Sequence, residues 1–186
     1  MEYSLFFQDP SYPVFEETCV DIEELWEEDG LPHYYQKLNA QGEVLGDDEQ
    51  TWLMVRDITT GLIWEVKSVD AAVHDNYSLY DLDNARAYIQ ELNKTNWGGS
   101  SAWRLPTVRE LFSILNYNYY RPCVDPMYFP HTIPDCYWTV QRESDWDEGI
   151  WVVNFLDGSL VRDIGGLEYY IRAVCTKSDK MCEANL

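Results

Sequence analysis

The sequence predicts an α+β fold, a domain with two helices and antiparallel sheets that is preceded by a short acidic N-terminal appendage. Three observations predict it. Apolar residues recur at helical spacing in two stretches of the main part, short apolar runs are separated by turn residues, and most of these runs come after the helices. Segregation of helices and strands along the chain is typical of the α+β class.

Length and composition favour one globular domain with flanking segments. The chain has 186 residues, of which 46% are hydrophobic and 15% aromatic, which is too apolar for a disordered chain. We expect an appendage over residues 1–32, a main domain over 33–177 and a tail over 178–186. Many tyrosines and tryptophans also suit a recognition surface.

The appendage contains the stretch ETCVDIEELWEEDGLP, which predicts one short acidic helix that ends near Gly30. Its apolar residues are Val20, Ile22, Leu25 and Trp26. The helix either docks on a partner through Trp26 or caps the main domain, and the sequence leaves both alternatives open.

The net charge of −20 is concentrated near the start of the chain. Residues 1–50 hold 14 acids against one base, Lys37, and carry −13, whereas residues 51–186 carry −7. This field repels phosphate backbones and anionic headgroups, so we expect no nucleic-acid partner and no membrane insertion. The acidic excess serves either solubility or binding of a cation or a basic partner.

The start, MEYSLFFQDPSYPVFEE, lacks the basic region of a signal peptide, so we expect a cytoplasmic protein.

The first elements of the main domain are predicted from periodicity. Apolar runs at 52–55 and 62–66, joined by a polar link with a glycine, predict a β-hairpin. A helix is predicted to begin near Asp81, because apolar residues then recur at spacings of three and four. Those residues are Leu82, Ala85, Ile89 and Leu92.

The stretch WRLPTVREL predicts the start of a second helix. Thr107 and Glu110 have the spacing of a capping box, in which each side chain bonds the backbone amide of the other residue. Arg104 stands between two apolar residues, and we expect it to be buried and to bond loop carbonyls rather than a ligand.

Residues 116–138 contain four prolines and five tyrosines, which predicts a long ordered loop. Cys123 and Cys136 bracket this loop and would pair in an oxidising compartment. Otherwise the five cysteines of the chain, whose spacing does not match a zinc site, are expected to be reduced structural thiols.

The end of the chain is predicted to be rich in strands. IWVVNF and LVRDI are separated by LDGS, and Asp157-Gly158 favours a two-residue type I′ turn. EYYIRAVC alternates in the manner of a half-buried strand.

The sequence holds no recognisable catalytic pattern. The three histidines are scattered, and we find no nucleophile elbow, phosphate loop, dinucleotide fingerprint or zinc-protease motif. We therefore expect no enzyme, no cofactor and no metal. DWDEG, residues 145–149, partly matches a calcium loop but lacks its full spacing, and solvated loop charge is the alternative interpretation.

Several motifs in order resemble the bacterial Lcl C-terminal domain family, named for the C-terminal domain of a Legionella collagen-like adhesin. They lie within residues 34–176 and include NWGGSSAWRLPTVRELFSILNYN, VDPMYFP, YWTV, IWVVNFLDGSL and YYIRAVC. The resemblance implies a C-type lectin-like fold, with close termini and an irregular loop surface. WRLPTVREL is also similar to a segment of the formylglycine-generating enzymes, but their catalytic cysteine motifs are missing, as are the calcium triplets of sugar-binding lectins.

By its position in such a fold, the binding surface would comprise loops 140–149 and 160–169. The candidate ligand-binding residues are Arg142, Glu143, Asp145, Trp146, Asp147, Arg162, Asp163 and Tyr169. Trp146 is the foremost of them, because it has no apolar stripe to join and aromatic anchors carry much interface energy.

The sequence thus predicts a non-enzymatic, adhesin-like module that binds a protein or an uncharged glycan. The alternative is a structural or regulatory subunit of a larger assembly that docks through residues 1–32. The partner is then a protein or glycan ligand, a second copy of the chain or a larger complex. The family resemblance adds a cell surface or a phage particle as possible locations.

Overall fold

The computed structural model describes residues 35–69, 74–142, 149–163 and 166–176. These residues form two helices and two antiparallel sheets, which confirms the α+β class. The helices are α1 (Leu82–Lys94) and α2 (Val108–Ser113). The strands are β1 (Tyr35–Leu38), β2 (Met54–Asp57), β3 (Leu62–Glu65), β4 (Cys136–Arg142), β5 (Ile150–Asn154), β6 (Leu160–Asp163) and β7 (Val174–Thr176). The acidic appendage with its expected helix, and the tail, lie outside the described residues.

The first sheet has the strand order β1-β2-β3-β7 and contains the hairpin predicted near its start. Val55 of β2 pairs with Trp64 of β3, so the two strands face each other as expected. The link between them is fastened by Asp57, whose carboxylate accepts hydrogen bonds from the backbone amide and the hydroxyl of Thr60. Because the sheet contains both β1 and β7, the first and the last of the described strands belong to one sheet.

Both faces of this sheet are buried, and two separate clusters of core residues result. On one side, Met54, Ile63 and Ala173 join the buried face of α1. On the other side, Val55, Trp64 and Val174 join α2 and the long loop. The strand order thus places the four-stranded sheet between two cores.

The prediction of a half-buried strand over 169–174 is wrong for this reason. β7 begins only at Val174, and residues 171 to 175 are all buried, with side chains on both cores. Arg172 is fully buried rather than solvent-facing. Its guanidinium donates to the backbone carbonyl of Glu65 and to the hydroxyl of Thr132, and it lies over the rings of Phe129 and Tyr137. An alternating pattern indicates exposure only where one face of a sheet is solvated.

The second sheet has the order β4-β5-β6. Its β5–β6 hairpin is confirmed, but the two-residue turn is wrong: β5 ends at Asn154 and β6 begins at Leu160. Phe155 is fully buried and so belongs to the core rather than to a ladder, while the Asn154 side chain accepts from the amide of Leu156. Gly158 closes the wider turn with a φ of 78°.

Both helices begin where the sequence predicts. The Asp81 side chain caps α1 by accepting from the amide of Asn84, and α2 starts with the complete capping box of Thr107 and Glu110. The expectation that Arg104 is buried is wrong, whereas the expected bond to a backbone carbonyl is present. The Arg104 side chain is 41% exposed and forms a two-pronged ion pair with Glu110 at 2.7 and 2.5 Å, with one further bond to the carbonyl of Leu105.

The long loop is ordered and contains neither helix nor strand from residue 116 to 135, as predicted. It is tied to the second sheet, since the amide of Cys123 donates to the carbonyl of Phe155. Cys123 and Cys136 are buried free thiols and are not paired. The thiol of Cys123 instead donates to the same Phe155 carbonyl. Cys182 lies outside the described residues.

Candidate binding site

The candidate surface is the end of the β4-β5-β6 sheet where the predicted loops 140–149 and 160–169 lie; we call it the loop face. The loop bounds are wrong at their starts, because β4 extends to Arg142 and β6 covers Leu160–Asp163. The strand register brings these loops together. Arg142 of β4 pairs with Ile150 of β5, and Ile150 pairs with Asp163 of β6. The end of β4, the start of β5 and the end of β6 therefore lie side by side in one row, and both loops start from this row.

Arg162 is the described candidate with an exposed side chain. It pairs with Trp151 in the β5–β6 ladder. A Cβ added at Gly149 would lie 2.9 Å from the Arg162 Nε, so the arginine side chain crosses the start of β5 at close range. The absence of a side chain at residue 149 thus lets Arg162 lie against the base of the loop that contains Trp146.

Two further candidates are less exposed than Arg162: Asp163 is buried and Tyr169 is half-buried. Asp163 is only 4% exposed, and the Tyr169 hydroxyl donates to its carboxylate. Burial first, and then the Asp163 charge, raise the pKa of Tyr169 to about 12, so the phenol stays protonated at neutral pH. The Tyr169 ring meets Trp138 edge-on at 4.9 Å. These contacts hold the second loop to the sheet.

The remaining four candidates, Glu143, Asp145, Trp146 and Asp147, lie outside the described residues, as does most of DWDEG with its alternative as a calcium loop. Their roles stay predictions. Among the residues that the structure does describe, no group of three or more histidine, cysteine or carboxylate side chains could hold a metal ion.

Beside the loop face lies a half-open groove of about 280 Å³. It runs between α1, the segment before α2, and strands β4 and β5. Its lining residues are Leu82, Arg86, Ile89, Gln90, Arg104, Leu105, Thr139, Val140 and Ile150. The groove reaches the loop face at Ile150, which belongs to the row where the loops begin.

The two arginines in the groove differ in the strength of their ion pairs. Arg104 is fixed by its hydrogen bonds to Glu110, and these bonds raise the pKa of Arg104. Burial alone would raise the pKa of Glu110, but its hydrogen bonds with Arg104 and Thr107 lower it. Arg86 forms an ion pair with Asp83 at 3.1 Å, in which the two side chains are 49% and 91% exposed. Exposed pairs of this kind are weak.

A buried polar cluster lies within the domain, centred on Glu65. One carboxylate oxygen lies 2.9 Å from both the Lys67 ammonium and the His74 Nδ1, and it also accepts from the Tyr88 hydroxyl. The other oxygen accepts from the Ala173 amide. Burial favours a raised pKa for Glu65, but Lys67 and His74 outweigh it and lower the pKa to about 2. The cluster therefore joins β3, α1 and the segment before β7.

Sequence reasoning missed both the groove and this cluster. Arg86 and Gln90 are four residues apart on the polar side of α1, a spacing that places them side by side. Glu65 and Lys67 are two residues apart at the end of an apolar run, a spacing that places them on one side of an extended chain. These spacings were the available signals, but the partners His74 and Tyr88 lie outside that run.

Fold and site together define an α+β domain that presents loops at one end of a small antiparallel sheet. The sequence model described as Lcl C-terminal domain matches residues 53–175, so the chain belongs to the Lcl C-terminal domain family, whose general character is that of an adhesin-like module. Comparison with curated proteins gave no match, and comparison with solved structures gave none.

Over the described part of the chain, no helix has both the length and the apolar character needed to cross a bilayer.

Proposed function

We propose that this domain is a non-enzymatic binding module that recognises a protein or an uncharged glycan through the loop face. One observation carries the proposal: the row formed by Arg142, Ile150 and Asp163, which starts both candidate loops from the same sheet end. Residues distant in sequence can then contact one ligand together, on a rigid support. Binding residues are disproportionately found on loops that a rigid scaffold positions.

The charge of the chain supports the choice of ligand. With 33 acids against 13 bases, the chain disfavours polyanionic ligands such as nucleic acid or sulfated polysaccharide. A protein with a neutral or basic surface, or an uncharged glycan, meets no such repulsion.

We further propose that the fold is C-type lectin-like. Two helices, two small antiparallel sheets and the presence of β1 and β7 in one sheet support this assignment. In that fold the loops at one end form the recognition surface, which agrees with the position of the loop face.

The proposal is tested by affinity capture from the native cell's lysate and envelope, comparing the wild-type chain with an Arg142→Ala/Trp146→Ala variant. The matched control is Tyr120→Ala/Arg121→Ala, which also removes an arginine and an aromatic ring. These two residues lie outside the loop face, with the Arg121 guanidinium 5.0 Å from the centre of the Tyr120 ring. We expect a ligand that wild type and control retain and the loop variant loses while still folded. Equal capture by all three would overturn the loop face as the binding site.

A second candidate function is assembly through the acidic appendage, with residues 1–32 as the docking element. The supporting observation is compositional: residues 1–32 contain ten acidic residues and no lysine or arginine. Deletion of these residues should then dissolve a complex that size-exclusion chromatography with light scattering detects. An unchanged composition of the complex after deletion, with the mass lowered only by the missing residues, would contradict assembly through the appendage.

A further inference from the structure

The groove beside the loop face has an apolar floor that is open to solvent. Its apolar lining residues are Leu82, Ile89, Leu105, Val140 and Ile150. Val140 is 56% exposed although it lies in the middle of β4. A concave apolar surface of about 280 Å³ has room for one small ligand rather than for a large one.

One wall of the groove carries two donors in adjacent positions. Arg86 and Gln90 are four residues apart on α1, and both side chains are exposed. Residues at this spacing are neighbours on a helix surface. A guanidinium and an amide NH₂ group at neighbouring positions can both donate to one carboxylate, whose two oxygens are acceptors.

The sign of the charge selects the ligand further. Among the described residues that line the groove, two are arginines and none is acidic, in a chain whose net charge is −20. The partner of Arg86 is the highly exposed Asp83, so an incoming carboxylate can replace it at little cost. Arg104 stays bound to Glu110 and contributes a fixed wall.

From this geometry we propose that the groove binds a small carboxylate with an apolar body. Arg86 and Gln90 hold the carboxylate, and the body lies on Ile89, Val140 and Ile150. This site does not rest on the proposed function, because its two donors, Arg86 and Gln90, lie on α1. It shares only the margin of the loop face, at Val140 and Ile150.

The test uses phenylacetate as the probe and phenylacetamide as its neutral isostere. Backbone amide NMR of the isotope-labelled chain is recorded while each compound is added. We expect saturable shifts at Gln90, Val140 and Ile150 with millimolar phenylacetate, and binding of the amide weaker by about tenfold, the effect of losing one charge-assisted hydrogen bond. Equal binding of the acid and the amide, or the absence of saturable shifts at these residues, would overturn the proposal.

Two variants locate the contacts. Arg86→Gln should weaken phenylacetate binding by about tenfold, whereas Arg109→Gln, an exposed arginine of α2 outside the groove lining, should leave it unchanged. Val140→Asp places a like charge on the floor and should abolish binding, and its exposure lets the variant fold. Retention of wild-type affinity by Arg86→Gln or by folded Val140→Asp would contradict the assignment.

Discussion

At the scale of single residues, Glu65 is the residue whose replacement has the clearest expected cost. Its carboxylate is fully buried and forms an ion pair with the ammonium group of Lys67, which is also buried. Glu65→Gln keeps the shape of the side chain but leaves the lysine charge without compensation, so we expect a loss of about 3–5 kcal/mol in the free energy of unfolding. Urea unfolding measures it.

Asp83→Asn is the matched control for this change. It also converts a carboxylate to an amide and breaks an ion pair, but that pair is exposed. We expect it to change the free energy of unfolding by no more than about 1 kcal/mol. Equal effects of the two substitutions would contradict the role assigned to the buried cluster.

The lowered pKa of Glu65 predicts that the free energy of unfolding depends on pH. The pKa of Glu65 is about 2 in the folded chain and has an ordinary value of 4.5, so the folded state binds fewer protons than the unfolded state between these values. Its stabilising contribution is therefore fully present above about pH 5 and is lost as the pH falls towards 2. The stability difference between wild type and Glu65→Gln should narrow over that interval. A difference that stays constant with pH would show that Glu65 does not titrate there.

At the scale of elements, the turn between β5 and β6 depends on Gly158. Its φ of 78° disfavours any other residue, and a Cβ there would collide with the Tyr117 side chain. We expect Gly158→Ala to destabilise the domain by about 1 kcal/mol through backbone strain and by a further amount through the collision. In a Tyr117→Ala background only the strain should remain. A double-mutant cycle from urea unfolding measures this coupling, and strictly additive effects would contradict it.

Elements with strong local signals could be predicted from the sequence. The capping box of α2 and the periodicity of α1 are set by residues within one or two helical turns of each other. The turn after β5 could not be predicted, because burial of Phe155 in a distant core decides its width. The two-sided burial of residues 171–175 likewise follows from strand order, which no local pattern records. For the candidate site, the strands that lead into the two loops were predictable, but their ends were not, because residues 140–142 belong to β4 and 160–163 to β6. The groove depends on the packing of α1 against β4.

At the scale of the whole molecule, the buried thiols report on global unfolding. Cys123, Cys136 and Cys175 are at most 7% exposed, and burial raises the pKa of each, to about 11 for Cys136 and Cys175. In a Cys19→Ser/Cys182→Ser variant, we expect no reaction with a thiol reagent at pH 8 in the native state and reaction of three thiols after denaturation. Rapid native labelling, or a mass two daltons lower from a disulfide, would contradict the free buried thiols.

The central claim is that both loops form one binding face at the end of the β4-β5-β6 sheet. Photo-crosslinking in the native cell tests it most directly, with a benzophenone amino acid placed at Arg162 on the loop face or at Tyr120, an exposed residue of the long loop. We predict that the probe at position 162 forms a specific crosslinked product and that the probe at position 120 does not. Crosslinking to the same product from both positions, or from position 120 alone, would contradict the loop face as the site of recognition.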